Sequence, residues 1–205
     1  MPDELSINVA ALQKGTRMAG PHLRDAIWVQ GCSILCPGCA NQAYLSHVER
    51  VRIPVTRLVA HFRARAGAID GCSILGGEPT EQPHAVAALL QEVKAIGLST
   101  VVFSGRTLES LRDDPACAAL LESTDLLVDG PYLASERDPA LYWRGSRNQR
   151  FHRLSGVFTE SDLGPPDVAG EVTVSDRSVV FNGIGTMQMS RRKLAAALAE
   201  PDSSR

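Results

Sequence analysis

Short apolar runs alternate along this chain with stretches whose apolar positions recur every three or four residues, a pattern of strands followed by helices. Residues 5–11 alternate weakly and read as a first short strand or an extended arm, with a loop over 15–20. Ile27, Trp28 and Val29 make residues 25–31 nearly continuous in apolar character, as in a strand buried on both faces of a parallel sheet. A helix is predicted over 54–66. Pro54 suits its first turn, Val55, Leu58, Val59 and Phe62 share one face, Arg57, Arg63 and Arg65 read as its solvated side, and Gly67 is its stop. A strand over 69–75, a helix over 81–96 and a strand over 98–103 follow. Two short helical pieces, 107–111 and 116–121, precede a fourth buried strand over 125–128.

Alternating strands and helices through about residue 130 predict βα units around a mostly parallel sheet. Right-handed crossovers bring every loop that follows a strand to one side. Beyond that unit, 142–150 is polar and irregular, 171–174 and 178–181 read as a hairpin around Asp176 and Arg177, and 190–198 reads as a helix with Ser190 as its N-cap. The chain divides on this reading into a main unit, 1–155, and a C-terminal extension, 156–205.

The chemistry concentrates in one loop. Cys32, Cys36 and Cys39 follow the strand over 25–31 at spacings Cys-x3-Cys and Cys-x2-Cys, with Pro37-Gly38 between the last two. Thiolates are ligands for soft metals and iron–sulfur clusters. Three sulfurs on one loop, with no fourth thiol nearby, suit a cubane held by three corners with its fourth iron open. A zinc site completed by His47, a disulfide with one free thiol, and buried filler remain alternatives. Cys72, within a strand, and Cys117, on a short helix, read as core thiols, and His47, His61 and His84 as surface or satisfied side chains.

Composition narrows the function classes. A net charge of −2 and 5% aromatic residues give no support for a nucleic-acid partner, and no run reaches the roughly 18 apolar residues of a membrane span. The acidic start, Met1-Pro2-Asp3-Glu4, lacks a secretory signal pattern, so a cytoplasmic setting with reduced thiols is expected.

The cysteine spacing, the strand before it and the Gly76-Gly77-Glu78-Pro79 turn after the next strand resemble the radical S-adenosylmethionine (SAM) superfamily. The stretch Gly31 to Asn41, the run Leu127-Val128-Asp129-Gly130 and the run Trp143-Arg144-Gly145-Ser146-Arg147-Asn148-Gln149-Arg150 are similar to the activating proteins of glycyl-radical enzymes, in particular that of anaerobic ribonucleotide reductase. The likeness covers roughly residues 20 to 150. It implies an α/β fold, a partial (β/α) barrel with a small C-terminal hairpin and helix. It implies a [4Fe-4S] cluster on Cys32, Cys36 and Cys39, with SAM chelating the open iron. Gly76, Gly77, Glu78 and Pro79 would meet the methionine end of SAM, and Gly38, Cys39 and Ala40 its adenine. Ser104, Asp129, Arg144 and Asn148 would complete the cofactor's surroundings, and Arg144, Asn148 and Gln149 could instead meet the partner's glycine loop.

The activity implied is reductive cleavage of SAM to a 5′-deoxyadenosyl radical, which abstracts hydrogen from a glycine of a partner enzyme. A flavodoxin- or ferredoxin-type protein would donate the electron. Alternatives are a radical SAM enzyme acting on a small metabolite or peptide, and a non-catalytic metal-binding module. The chain departs from the activating proteins at Ala40, where an aromatic is usual, at Ser104-Gly105-Arg106 in place of Thr-Gly-Tyr, and in its longer tail.

Overall fold

The computed structural model describes residues 4–167, 170–175 and 178–183. Its strands, in chain order, are β1 (Ser6–Thr16), β2 (Arg24–Val29), β3 (Val51–Pro54), β4 (Gly71–Gly76), β5 (Ser99–Phe103), β6 (Leu126–Asp129), β7 (Arg150–Arg153), β8 (Gly170–Ser175) and β9 (Ser178–Gly183). The first seven form one sheet in the order β3-β1-β2-β4-β5-β6-β7. The pairings β2–β4, β4–β5 and β5–β6 are parallel, as the βα pattern predicts. The flanking pairings, β1–β2, β1–β3 and β6–β7, are antiparallel, so the sheet is mixed and only its centre follows the mostly parallel expectation. Both outer strands, β3 and β7, have four residues and carry arginine, a way of blunting an exposed sheet edge.

The helices are α1 (Val55–Arg65), α2 (Pro83–Ala95), α3 (Leu108–Arg112) and α4 (Ala118–Glu122). They cover one face of the sheet, because successive strand residues point to opposite sides. Ile27, Val29, Cys72, Ile74, Val102 and Leu127 point towards the helices and pack with Leu58, Phe62, Val86, Leu89, Leu90 and Val93 in the main core. Cys72 and Cys117 are both fully buried, matching their reading as core thiols.

The residues between point the other way. Near the N-terminal ends of the parallel strands this second face is filled by Val101, Leu126, Val128 and Phe158, with Leu163 packed alongside. Arg24 lies here too, completely buried. It donates to the carbonyls of Pro21, Cys72 and Ser99 and to the hydroxyls of Ser73 and Ser99, and its guanidinium sits 5.5 Å from the centre of the Phe158 ring. Burial lowers its pKa to about 10, so it stays charged near neutrality.

Two expectations on α1 and the tail are changed. Arg65 is not part of a solvated face: with His61 it ion-pairs the fully buried Asp25 of β2. β8 and β9 pair antiparallel from Gly170–Gly183 to Ser175–Ser178, so the hairpin is present. Asp176, Arg177 and the helix expected over 190–198 lie outside the described residues.

Candidate functional site

The site grows from the C-terminal ends of β2, β4, β5 and β6. Where β4 leaves the sheet, Gly77 N–H donates to the Val29 carbonyl and Glu78 N–H to the Gly31 carbonyl, each at 2.7 Å. This draws the Gly-Gly-Glu turn against the backbone that leads into Cys32. A Cβ on Gly77 would lie 2.2 Å from the Gly31 carbonyl oxygen, and one on Gly76, whose φ is +110°, would lie 2.6 Å from Trp28. Only glycine permits this approach of two loops.

Glu78 ties the same turn to the end of β5. Its buried carboxylate accepts from Thr80 N–H and Oγ1, from Ser104 Oγ at 2.9 Å and from Gly105 N–H at 2.8 Å. Burial pushes its pKa up, because these donors are neutral and leave the desolvation only partly offset.

The cysteine loop returns alongside its own start. Gly31 and Cys32 N–H donate to the carbonyls of Tyr44 and Leu45, and Cys39 N–H donates to the Cys36 carbonyl, closing the turn through Pro37 and Gly38. Leu35 and Gly38 both have left-handed backbone, at φ +52° and +76°. Asn41 N–H points at Cys39 Sγ, 3.4 Å away. Glu81 braces the loop from outside. One of its oxygens accepts from Ser33 N–H, and the other lies 2.6 Å from His47 Nε2. Burial pushes the Cys32 thiol up, opposed by the N–H groups of Leu35 and Ile34.

These loops wall a cavity of about 700 Å³. Cys32, Cys36, Gly38, Cys39 and Ala40 line it from one loop, Gly76, Gly77 and Glu78 from another, and Ser104 and Arg144 from two more. Trp28, Leu75 and Phe103, the last cavity-side residues of their strands, supply apolar wall, and Met18 and Trp143 enter from the flanking loops. The chain's two tryptophans therefore share one cavity.

Pro79, Asp129 and Asn148 do not line it. Pro79 is buried in the short 3₁₀ turn Pro79–Glu81. Asp129 has the same parity as Leu127, so it points to the helix side, where it accepts from Leu108 N–H and from Arg150 and stands 3.0 Å from His152. Burial alone would raise its pKa, and the Arg150 guanidinium and the Leu108 N–H outweigh it, so the carboxyl sits below its ordinary range. Asn148 donates to the Pro131 carbonyl, and Gln149 to the Gly130 carbonyl, holding the polar loop onto the end of β6. Arg144 lies 4.6 Å over the Phe151 ring and donates to the Gln149 carbonyl, while its buried Nε has no hydrogen-bond partner among the described residues.

Sequence reasoning missed Glu81, whose brace on Ser33 spans 48 positions, and the cavity-side parity of Trp28 and Phe103, which the strand pattern already carried. The donor chemistry of the cavity fits an iron–sulfur cluster: three thiols on one loop border a space large enough for a group beyond a single ion. A zinc ion completed by His47 Nε2 would have to displace that nitrogen's contact with Glu81. No helix among the described residues is long and apolar enough to cross a membrane.

Comparison with known proteins points to the same kind of cofactor. A family described as "4Fe-4S single cluster domain" matches residues 18–152. The anaerobic ribonucleoside-triphosphate reductase-activating protein of Vibrio cholerae serotype O1 is 34% identical over 144 residues, spanning 66% of this chain and 91% of that protein. The proteins of the same name from Pasteurella multocida and Salmonella typhimurium are each 30% identical over 66% of this chain, covering 90% and 91% of their own lengths. Among solved structures, QueE from Escherichia coli superposes with a TM-score of 0.40 at 17% identity, over 51% of this chain and 54% of that one. By its cysteine loop, its matched span and its relatives, the chain belongs to the 4Fe-4S single cluster domain family, together with the anaerobic ribonucleoside-triphosphate reductase-activating proteins.

Proposed function

We propose that this protein is a [4Fe-4S]-dependent radical SAM enzyme that generates a glycyl radical on a partner enzyme, in the manner for which its relatives are named as activators of anaerobic ribonucleoside-triphosphate reductase. The observation that carries this reading is that three closely spaced thiols and the Gly-Gly-Glu turn border one cavity. Cys32, Cys36 and Cys39 would hold the cluster and leave one iron for the amino and carboxylate groups of SAM. A cluster held there would supply the single electron for reductive cleavage of SAM, the chemistry that would let hydrogen be taken from a glycine Cα of the partner.

The chain's own residues bind, orient and exclude water. Gly76 and Gly77 give the methionine end close access to backbone carbonyls. Glu78, held by hydrogen bonds from Thr80, Ser104 and Gly105, fixes that turn in place and is no free base. Backbone at Gly38, Cys39 and Ala40 suits the adenine edge, with Ser104 beside it. The Arg144 guanidinium, a planar donor with an unused Nε–H, suits a carboxylate of SAM or a carbonyl of the partner's glycine loop. Asp129, Asn148 and Pro79 support these groups from behind. Trp28, Leu75 and Phe103 supply an apolar wall against which the radical from SAM would be held in place. Hydrogen-atom transfer moves no net charge, so no general base is required.

The finer architecture follows the same reading. The mixed sheet corresponds to a partial (β/α) barrel, with residues 1–155 as the catalytic unit and 156–205 as an extension. A flavodoxin- or ferredoxin-type protein in the cytoplasm would supply the electron.

The test uses anaerobically reconstituted protein, SAM, a reductant and a large partner bearing a C-terminal glycyl-radical motif. A glycyl-radical doublet in electron paramagnetic resonance, dependent on both proteins and on SAM, is the expected result. SAM cleavage without any radical on the partner would instead favour a small metabolite or peptide as substrate.

A further inference from the structure

The C-terminal hairpin lies outside the matched span of the family, residues 18–152, yet it reaches the wall of the cavity through one side chain. Glu171, the second residue of β8, accepts from Thr16 Oγ1 with one oxygen and from Arg17 N–H, at 2.7 Å, with the other. Thr16 Oγ1 also accepts from Met18 N–H at 3.0 Å. The carbonyl of Arg17 accepts from the indole Nε1–H of Trp143, at 3.0 Å. Met18 and Trp143 both line the cavity.

Trp143 needs such support. Its φ of +54° puts a bulky non-glycine residue in the left-handed region. A conformation of that kind persists only where its surroundings over-determine it. The indole has two fixed points: its bond to the Arg17 carbonyl and its edge against the Phe151 ring, 6.4 Å between centroids. The first depends on where the segment Thr16 to Met18 sits. That segment ends β1 and opens the loop to β2, and the carboxylate of Glu171 takes two hydrogen bonds from it.

We propose that Glu171 is a positioning residue for the SAM cavity, acting through the Thr16–Arg17 segment on the indole of Trp143. The extension then serves the site as a clamp, coupling the order of the hairpin to the shape of the wall. It rests on the reading of the cavity as the SAM site for its effect on affinity, and on geometry alone for its effect on the loops.

The experiment uses the full-length, anaerobically reconstituted protein and its Glu171→Ala, Trp143→Phe and doubly substituted forms. Hydrogen exchange is read by mass spectrometry over 16–20 and over 140–147, and SAM affinity by equilibrium dialysis. Glu171→Ala is expected to speed exchange in both segments, leave α2 protected and the cluster's visible absorption intact, and weaken SAM binding roughly three- to tenfold, the scale of coupling carried by packed networks. Trp143→Phe removes the indole donor, so adding Glu171→Ala to it should weaken binding less than the sum of the two changes.

Faster exchange confined to 16–20, or additive effects in the double variant, would overturn the proposal. If Glu171→Ala fails to fold, Glu171→Gln keeps one acceptor and should give an intermediate effect in both segments; an unchanged 140–147 segment in that protein would equally overturn it. Should the unsubstituted protein bind no SAM, the functional reading fails, while exchange over 140–147 still decides whether the clamp exists.

Discussion

The N-terminal ends of the parallel strands and the cavity wall at their C-terminal ends are built on opposite electrostatic plans. At the N-terminal ends, buried carboxylates meet cations: Asp25 takes Arg65 and His61, and Asp125 takes Lys94. Burial by itself would raise both acids, but in each a cation and neighbouring donors prevail and hold the pKa below the ordinary range. Asp129, at the end of β6, keeps an ion pair with Arg150 on the helix side, but on the cavity side of the C-terminal ends the buried acid, Glu78, meets only hydroxyls and backbone N–H, and its pKa is raised. Glycine turns and free thiols surround it in place of ion pairs. The N-terminal ends are locked by charge, and the cavity side of the C-terminal ends is held by neutral donors and close-fitting glycine turns, so stability and chemistry are separated between these two regions. Substitutions at the two ends should therefore fail in different ways.

The largest effect is expected at the thiols. Replacing any one of Cys32, Cys36 or Cys39 with Ala should abolish the cluster's visible absorption after reconstitution, whereas Cys72→Ala should keep it and lose stability. Comparable loss of absorption at Cys72 would overturn the ligand set. At the opposite end, Asp25→Asn breaks a buried pair and should cost about 3 kcal/mol in urea unfolding, with SAM cleavage per folded molecule unchanged. A large loss of cleavage in that variant would blur the separation.

Gly77→Ala is the complementary change. Its Cβ must displace the Gly31 carbonyl, from which it would lie 2.2 Å, and so shift the backbone before Cys32. SAM turnover should fall by about 100-fold, the scale for misplacing a reacting group by about an ångström, while the cluster is retained.

The smallest effect is in the pH dependence of stability, and its sign differs between the ends. The stabilisation from Asp25, measured against Asp25→Asn, should be fully present above the unfolded pKa of about 3.9 and lost as pH falls through its lower folded value. The contribution of Glu78, measured against Glu78→Gln, should be present below the unfolded pKa of about 4.3 and lost as pH rises through its higher folded value. Urea midpoints between about pH 3 and 8 give both curves, and parallel slopes would contradict the contrast.

Much of this was legible along the chain. The βα alternation yields the four central strands, and the cysteine spacing with Gly76-Gly77-Glu78 picks out the loops that meet. Two edge strands carry no such pattern: Val51–Pro54 and Arg150–Arg153 are four residues each, most of them polar or proline, and are held in register by β1 and β6. The resemblance places Asp129 among the cofactor's surroundings, and its parity with Leu127 turns its side chain to the helix side. Arg65 reads along the chain as one of three solvated arginines, because its partner Asp25 is 40 positions away. The contacts of Glu81 and Glu171 are of the same kind: they join segments that no local pattern connects.

The most direct measurement is the product formed when the reconstituted protein is reduced anaerobically in the presence of SAM. The expected products are 5′-deoxyadenosine and methionine in equal amounts, with formation lost in the Cys36→Ala protein. A protein that carries a lone zinc ion, or a fully ligated cluster, and leaves SAM intact would contradict it.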